Sequence, residues 1–311
     1  MNSVDNAESM SICAVVVTFN RKECLARCLE ALIRQDRPLN RIIVIDNAST
    51  DGTHEMLQER FLPAVGILSC IRLQNNIGGA GGFFEGMRRF LAEGWDWVWL
   101  MDDDGYPDAS ALSTLLAGVL SFDFLVGGPL VIDVDARDKL AFGLDQNTHS
   151  LADALAQGEI IAQRLNPFNG TLIHRRVVQK VGLVKREMFL WGDEREYLFR
   201  LLKENVPFAT FTRAHFYHPT AKGRYVPVLW GRLRPVLIKP ESLFHIYLRN
   251  LGYLDRHYRG TLGVLSSLVR YSLYFIMNRK CDFAGLLKFF RYYADGFFDR
   301  YRLPSLPGPR P

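Results

Sequence analysis

From Ser11 to about Pro129, short apolar runs alternate with apolar residues at helical spacing. Five runs predict buried strands: Ile12–Val17, Arg41–Ile45, Ile67–Leu73, Trp95–Met101 and Phe124–Ile132. Two stripes predict helices: Leu25, Cys28, Leu29 and Leu32, and then Phe83, Phe84, Met87, Phe90 and Leu91. Asn20 with Glu23 three residues later resembles a capping box at the first helix start. The alternation predicts an α/β fold, with a mainly parallel sheet and helices on both faces.

The segments that follow the first four predicted strands are polar, glycine-rich and acidic. They are Thr18–Arg21, Asp46–Gly52, Asn75–Gly82 and Asp102–Asp104. Ligands bind at the carboxyl ends of the strands in open α/β sheets. We therefore expect the four segments to meet at one edge and to form the functional site.

The triplet Asp102-Asp103-Asp104 is the most specific of these signals. Adjacent carboxylates repel one another unless a cation neutralises them, and their hard oxygens suit Mg²⁺ or Mn²⁺. In an extended segment alternate side chains point the same way, so Asp102 and Asp104 are expected to share an ion while Asp103 turns elsewhere. The alternative is a solvated acidic turn, closed by Gly105 and Pro107.

Four glycines lie within Gly78–Gly82, where they would let the backbone approach a ligand. The helix that follows would offer free N–H groups to an anion. No Gly-Lys-Ser/Thr follows, which excludes a P-loop, and Phe84 stands where a dinucleotide fingerprint needs its third glycine. The alternative is a tight turn without a ligand.

Composition narrows the class of protein. The 311 residues are 48% apolar and 23% charged, with a mean hydropathy of −0.02, which is typical of a globular protein. The five cysteines lack CxxC spacing, which predicts reduced thiols and argues against a cysteine-built zinc site. The polar first residues do not resemble a signal peptide. The longest apolar run, Leu262–Met277, is interrupted by Arg270 and is short for a membrane span.

From Trp230 onward the chain becomes basic and aromatic. Arginine and lysine recur from Arg232 to Arg302, interleaved with leucine, phenylalanine and tyrosine. This composition is typical of amphipathic helices on an anionic leaflet; a helical cap or a dimer surface is the alternative. Nucleic acid fits worse, because the net charge is only +5 and no recognition motif is present. The proline-rich tail Pro304–Pro311 is predicted to be disordered.

Several motifs occur together and in order: VVVTFNR, IDNASTDGT, NNIGGAGGF, the acidic triplet and WGDEREY. Together they resemble the family 2 glycosyltransferases with a GT-A fold, and within them the galactofuranosyl- and rhamnosyl-transferases that build bacterial surface polysaccharides. The resemblance covers Ser11 to His218. It implies a GT-A catalytic domain, which we place at 11–229, while the composition described above predicts a basic, aromatic helical region at 230–303 and a disordered tail at 304–311.

The resemblance also implies a nucleotide sugar bound across the first two strand ends, with Mn²⁺ or Mg²⁺ on its diphosphate. The implied donor-binding residues are Thr18, Asn20, Arg21, Asp46, Asn76, Gly79, Gly81, Asp103 and Trp191. The implied metal ligands are Asp102, Asp104 and His218, with His215 as the second choice for the histidine. Asp46 could instead cap the helix after Asp51, Arg21 could be a solvated charge, and Trp191 could belong to the core.

Transfer also requires a base, because the attacking hydroxyl of the acceptor loses its proton. The segment Phe189–Tyr197 opens an apparent helix, whose N-terminus would stabilise ionised acids. In the family the base lies two residues before a second acid, and matching that acid to Glu196 implies Glu194 as the base. Asp193 is the rival, and an ordinary charged helix start is the alternative to both.

These features predict an inverting, metal-dependent glycosyltransferase at the cytoplasmic face of the membrane. It would move galactofuranose from UDP, or rhamnose from dTDP, to a glycan or glycolipid acceptor. An anionic membrane surface is an expected partner, nucleic acid is not, and a homo-oligomer stays open. A nucleotide-sugar-binding scaffold subunit and a nucleotidyltransferase, which would release pyrophosphate, are the rival interpretations.

Overall fold

A computed structural model of the protein describes residues 10–220 and 223–301. The predicted disordered tail at Pro304–Pro311 lies outside the described residues. The described residues form two compact units, one containing residues 10–186 and 197–220 and the other containing residues 187–196 and 223–301. The domain bounds 11–229 and 230–303 remain a prediction.

The strands of the described chain are β1 (Ile12–Thr18), β2 (Arg41–Asp46), β3 (Leu68–Arg72), β4 (Trp97–Asp102), β5 (Tyr106–Pro107), β6 (Val126–Asp133), β7 (Ile160–Ala162), β8 (Asn169–His174), β9 (Ala209–His218), β10 (Arg224–Val228) and β11 (Leu233–Ile238). The α-helices are α1 (Lys22–Ile33), α2 (Thr53–Met56), α3 (Gly78–Glu93), α4 (Ala111–Ser121), α5 (Leu151–Leu155), α6 (Arg175–Val181), α7 (Asp193–Lys203), α8 (Phe244–Leu254), α9 (Gly260–Leu273) and α10 (Phe283–Phe297). Short 3₁₀ segments lie at Arg186–Met188, Leu229–Gly231 and Glu241–Leu243, and π-helical turns at Leu57–Phe61, Asp255–Arg259 and Tyr274–Asn278. All five strands expected from the apolar runs are present.

The first unit is built on a mixed sheet with the order β3-β2-β1-β4-β8-β6-β9-β5, in which β7 also pairs with β9. The pairs β2–β3, β1–β2, β1–β4 and β6–β9 are parallel. The remaining strand pairs in this sheet are antiparallel. Four parallel strands therefore end side by side at one edge.

Helices cover both faces of this sheet, as the alternation of β1 shows. Ile12, Ala14 and Val16 belong to one buried cluster with residues of α1 and α4. The intervening Val15 and Val17 point to the other face, where α3 lies. A Cβ added to Gly86 would come 2.2 Å from Cγ1 of Val15, so α3 packs closer to the sheet than a side chain would permit.

The predicted capping box at the start of α1 is wrong. The helix begins at Lys22 and receives no side-chain cap from the residue before it. The Asn20 carboxamide is used elsewhere, because its Oδ1 accepts from the backbone N–H of Thr50 at 2.7 Å. The N–H of Lys22 donates instead to Oδ2 of Asp51 at 2.9 Å. The loops after β1 and β2 are thus tied to each other.

The second unit combines the β10–β11 hairpin with α8, α9 and α10 around an aromatic core that includes Tyr271, Phe289 and Tyr293. Helical and π-helical turns cover Glu241 to Asn278, 38 residues with a window of mean hydropathy 1.2 that is 22% buried, and the backbone departs from helical geometry at Gly260, where φ is 66° and ψ is −168°. By length and composition this stretch is sufficient to cross a membrane. The sequence analysis described a shorter segment because it took only the apolar run Leu262–Met277, which lies inside the longer helical stretch.

Candidate active site

The four polar segments meet at one edge of the first unit, as predicted. The register places Thr18 beside Asp46 and Val17 beside Asp102, because β1 runs parallel to both neighbours. Asp46 in turn lies beside Arg72 at the end of β3. The polar residues that follow these positions share one rim.

Asp103 is the buried centre of the acidic triplet. Its side chain is 3% exposed, and its Oδ2 accepts from the Thr18 hydroxyl at 2.6 Å. Its Oδ1 accepts from Nη1 of Arg21 at 3.2 Å. Burial raises the pKa of Asp103 to about 6, although the Arg21 charge and the Thr18 hydrogen bond act in the opposite direction. Thr18, Arg21 and Asp103 are therefore brought together, and their role in binding the donor stays a prediction.

Asp104 contacts two basic side chains. Its Oδ1 lies 2.9 Å from Nε2 of His218, and its Oδ2 forms an ion pair with Arg21. Burial acts to raise the pKa of the Asp104 carboxyl, but the His218 hydrogen bond and the nearby charges outweigh it and leave that pKa lowered. Arg21 thus neutralises part of the negative charge of the acidic triplet, which the sequence analysis expected a metal ion to neutralise.

The triplet is not extended, so the reason for expecting Asp102 and Asp104 to point the same way is wrong. β4 ends at Asp102, and Asp103 and Asp104 form a turn. The Asp102 backbone N–H donates to the Phe168 carbonyl at 3.2 Å, and its side chain is half-buried. Within residues 10–220 and 223–301, no three His, Cys, Asp or Glu side chains form a group that could hold a metal ion. The ligand set remains a prediction, of which Asp104 and His218 are adjacent.

The contact between Asp104 and His218 fits a cation. Nδ1 of His218 lies 2.6 Å from the Pro219 carbonyl oxygen, an acceptor, which assigns the ring proton to Nδ1. Nε2, 2.9 Å from Oδ1 of Asp104, donates to that carboxylate when it carries a proton, and offers its lone pair to a cation when it does not. A carboxylate oxygen and an imidazole nitrogen oriented by a carbonyl are ligands that Mn²⁺ takes. His215 is three residues earlier on β9, so its side chain points to the opposite face.

Asp46 is completely buried at the end of β2. Its Oδ1 accepts from the Ser49 N–H at 2.9 Å. Its Oδ2 has no hydrogen-bond partner in the described chain and lies 3.8 Å from Nε of Arg72. Asp51, not Asp46, bonds to Thr53 at the start of the following helix. The capping alternative for Asp46 is therefore excluded, and one of its carboxylate oxygens remains unsatisfied.

The glycine cluster begins α3 instead of preceding it. Oδ1 of Asn76 accepts from the Gly78 N–H at 2.8 Å. Gly79 and Gly81 lie in the first turn, where helix N–H groups have no intrahelical partner. A Cβ added to Gly81 would come 2.6 Å from Cγ1 of Ile77, so packing accounts for this glycine without a ligand. Their role at the donor site stays a prediction.

Asn47 is a structural residue that the sequence analysis did not single out. It is buried, its Nδ2 donates to the Gly78 carbonyl at 3.1 Å, and its Oδ1 accepts from the Ile77 N–H at 3.4 Å. It therefore joins the end of β2 to the start of α3. The feature of the sequence that could have indicated this role is the position of Asn47 directly after Asp46.

The second unit carries the predicted base in a loop of unusual backbone. Phe189 and Trp191 have φ values of 65° and 60°, and Gly192 has a φ of 102°. α7 begins at Asp193, which is buried. The half-buried Glu194 accepts from the Gly192 N–H at 2.9 Å through its Oε2. Asp193 and Glu194 are thus adjacent acids in different environments.

Two neighbours of this acid pair have identified partners. Oε1 of the buried Glu196 accepts from the Tyr258 hydroxyl at 2.8 Å. Nζ of Lys239 lies 4.7 Å from the centre of the Trp191 ring. Burial lowers the pKa of Lys239, while the Glu194 carboxylate acts to raise it. A role of Trp191 in stacking on a sugar remains a prediction.

Comparison with known proteins identifies the family and the fold. A profile described as Glycosyl transferase family 2 matches residues 13–142. The chain is 33% identical over 300 residues to the galactofuranosyltransferase GlfT1 of Mycolicibacterium smegmatis, covering 94% of this chain and 98% of that protein. The structure of S. aureus TarS 1–349 in complex with UDP matches with a TM-score of 0.54 and 14% identity, covering 87% of this chain and 73% of that one. GalNAc-T7 with UDP, GalNAc and Mn²⁺ matches with a TM-score of 0.54 and 16% identity, covering 78% and 48%.

Proposed function

The chain belongs to glycosyl transferase family 2, and from this premise we propose that it transfers galactofuranose from UDP-galactofuranose to a glycan acceptor. It is a glycosyltransferase with a GT-A fold. The observation that carries the choice of sugar is the extent of the match to a galactofuranosyltransferase, which covers 94% of this chain and therefore reaches beyond the nucleotide-binding part. The motifs GGAGGF and WGDE favour the same sugar by their resemblance to the galactofuranosyltransferase branch.

We assign recognition of the nucleotide to the ends of β1 and β2. The unsatisfied Oδ2 of Asp46 is a buried acceptor suited to an N–H or hydroxyl of the uridine. Leaving a buried carboxylate oxygen without a partner is costly, so a bound nucleoside would remove a penalty that the free enzyme bears. Thr18 and Arg21 hold Asp103, which fixes the turn beside the nucleotide.

We assign the diphosphate to the first turn of α3 and to the acidic turn. Asp104 and His218, together with Asp102, would hold Mn²⁺ or Mg²⁺, which supplies neutralisation of the charge on the departing UDP. Arg21 is paired with Asp103 and Asp104, and its side chain is half exposed. It thus positions the two carboxylates and keeps donor capacity for a phosphate oxygen.

We assign the proton transfer to the acid pair of the second unit. An ionised Glu194 or Asp193 would accept the proton of the attacking hydroxyl, so that inversion needs one displacement and no covalent intermediate. Both residues lie in the first turn of α7, where the helix dipole favours the ionised form. The Glu194 carboxylate acts to raise the pKa of Lys239, which places a positive charge beside this acid.

We propose that the second unit binds an anionic membrane surface, which would bring the enzyme to a lipid-linked acceptor at the inner face of the membrane. Leu262, Phe283 and Leu287 are 82%, 63% and 70% exposed. Lys288 and Arg291 are exposed on the same helix as the last two. Apolar side chains among cations are typical of elements that enter a headgroup region.

A thermal-shift panel of nucleotide sugars with and without Mn²⁺ tests the choice of donor. A true donor raises the melting temperature, because it binds the native state alone. We expect UDP-galactofuranose with Mn²⁺ to give the largest shift and dTDP-rhamnose to give none. A shift with dTDP-rhamnose alone would assign the enzyme to rhamnose. Donor binding without turnover would favour a scaffold, and pyrophosphate release would favour a nucleotidyltransferase.

A further inference from the structure

Two consecutive residues of α8 hold the loop that precedes the acid pair. The side chain of Asn250 is 1% exposed, and its Nδ2 donates to the carbonyl oxygens of Met188, Leu190 and Trp191 at 2.8, 3.1 and 2.7 Å. The two N–H donors of one amide are thus shared among three carbonyls along a single loop. Those carbonyls lie within four residues of the chain, so their positions are fixed relative to one another.

Arg249 binds the beginning of the same loop. Its side chain is buried, and its Nη2 donates to the carbonyl oxygens of Glu187 and Met188, each at 3.0 Å. Burial lowers the pKa of Arg249, yet arginine remains charged at neutral pH. Hydrogen bonds from a charged donor are stronger than neutral ones. Arg249 and Asn250 together bind four consecutive or near-consecutive carbonyls.

The loop has a backbone that needs such support. Phe189 and Trp191 have positive φ values, which are unfavourable for large side chains and persist only where the surroundings impose them. Gly192 also has a positive φ, and a Cβ added there would come 3.3 Å from Cβ of Asn250. Asn250 therefore packs directly against the last residue before the acids.

The loop is continuous with the acid pair. Its last N–H, that of Gly192, donates to Glu194, and Asp193 is the next residue along the chain. A change in the Trp191–Gly192 backbone would therefore move both carboxylates. Catalysis by a positioned base is sensitive to displacements of this kind, with losses of about 100-fold for a shift of 1 Å.

We propose that Arg249 and Asn250 are positioning residues that hold the acid pair in its reactive geometry. They act through the loop and do not touch substrate. The inference rests on the proposed function, because it requires one of the two acids to be the base. In the competing interpretation the two residues only stabilise the loop. Loss of Asn250 would then lower the stability of the fold and the activity to the same extent whether or not the acid pair is intact.

A double-mutant cycle in the full chain separates the two interpretations. N250A is measured alone and combined with whichever of E194Q and D193N lowers kcat more. N278A is the matched control, because the Asn278 amide also donates to a backbone carbonyl of the second unit, that of Pro227 at 3.1 Å. The readouts are kcat, the KM for UDP-galactofuranose, the Kd for UDP and the melting temperature.

We expect N250A to lower kcat by about tenfold or more, to leave the KM for donor and the Kd for UDP within about twofold, and to have almost no further effect once the base is removed. N278A should leave kcat unchanged. An unchanged kcat in N250A would overturn the inference. So would a double variant in which N250A lowers kcat by the same factor as it does in the wild-type background. If N250A does not fold, the same cycle is run with R249K, which keeps the charge, and the same outcomes decide.

Failure of the proposed function would look different. The wild-type chain would then show no acceptor-dependent release of UDP, whereas failure of the positioning role leaves the wild-type enzyme active. The cycle is therefore begun only after wild-type transfer has been measured.

Discussion

Asp104 and His218 face each other, with Oδ1 of Asp104 2.9 Å from Nε2 of His218. The fold brings them together because β9, which ends at His218, pairs antiparallel with β5, where Tyr106 lies beside Tyr217 and follows Asp104 by two residues. The Pro219 carbonyl fixes the imidazole so that Nε2 points at the carboxylate. The two side chains that we propose as ligands of a divalent cation are therefore adjacent and oriented toward each other.

D104A and H218A should each abolish the Mn²⁺-dependent part of UDP binding and lower transfer by about 100-fold or more, because the charge on the departing diphosphate is no longer neutralised. Calorimetric titration of UDP with and without Mn²⁺ measures the first effect. D138A is the control, because Asp138 is an exposed acid of the same unit. Full activity in D104A would remove the metal proposal.

D46N should weaken UDP binding by about tenfold or more, because a buried charged acceptor is replaced by a neutral amide. The Ser49 N–H can still bond to the Asn oxygen, so the loop after β2 should keep its conformation. Titration of UDP measures the effect, with D36N as a surface control. Equal affinity in D46N and wild type would show that Asp46 does not contact the nucleotide.

E194Q should lower kcat by about 100- to 10,000-fold with little change in donor affinity, because glutamine keeps the shape and cannot accept a proton. E204Q, which changes an exposed glutamate just beyond the end of α7, is the control. Steady-state kinetics with saturating acceptor measures kcat. If D193N has this effect and E194Q does not, the base is Asp193.

G86A should destabilise the first unit by about 1–3 kcal/mol, because the added Cβ would lie 2.2 Å from Cγ1 of Val15 and would push α3 from the sheet. G66A is the matched control, since a Cβ at Gly66 has no atom within 4 Å. It should leave stability unchanged or raise it by up to about 1 kcal/mol. Urea unfolding of the two variants measures both values; equal stability would contradict the close packing.

L262E combined with L287E should release the protein from anionic vesicles, because two exposed apolar side chains are replaced by negative charges. L155E is the matched control, since Leu155 is an exposed leucine of the first unit. Co-sedimentation with phosphatidylglycerol-containing vesicles measures the bound fraction. Unchanged sedimentation of the double variant would argue against the interfacial role.

The strands and the shared edge could be predicted because they depend on local patterns. Buried apolar runs predicted β1 to β4 and β6. The carboxyl ends of neighbouring parallel strands lie at the same edge of a sheet. This rule placed Thr18, Asp46 and the acidic triplet on one rim. The motifs then indicated the family. Each of these inferences needs only the order of residues along the chain.

Pairings distant in sequence could not be predicted in the same way. Asn20 looked like a helix cap but bonds to Thr50, because a short amide can reach any N–H that the fold brings near. Arg21 looked like a candidate phosphate ligand, and the structure also shows it neutralising Asp103 and Asp104. The acidic run looked extended, yet it turns after Asp102. Composition alone also gave no indication that Arg249 and Asn250 hold a loop that lies some sixty residues earlier.

The most direct test of the central claim is transfer by the purified full chain from UDP-galactofuranose to a panel of lipid-linked glycans in the presence of Mn²⁺. UDP release and the mass of the acceptor are measured together, with D104A as the blank and dTDP-rhamnose as the alternative donor. Acceptor-dependent UDP release, with one hexose added to the glycan, is the predicted result. Rhamnose transfer in its place, or intact donor binding with no product from any acceptor, would contradict it.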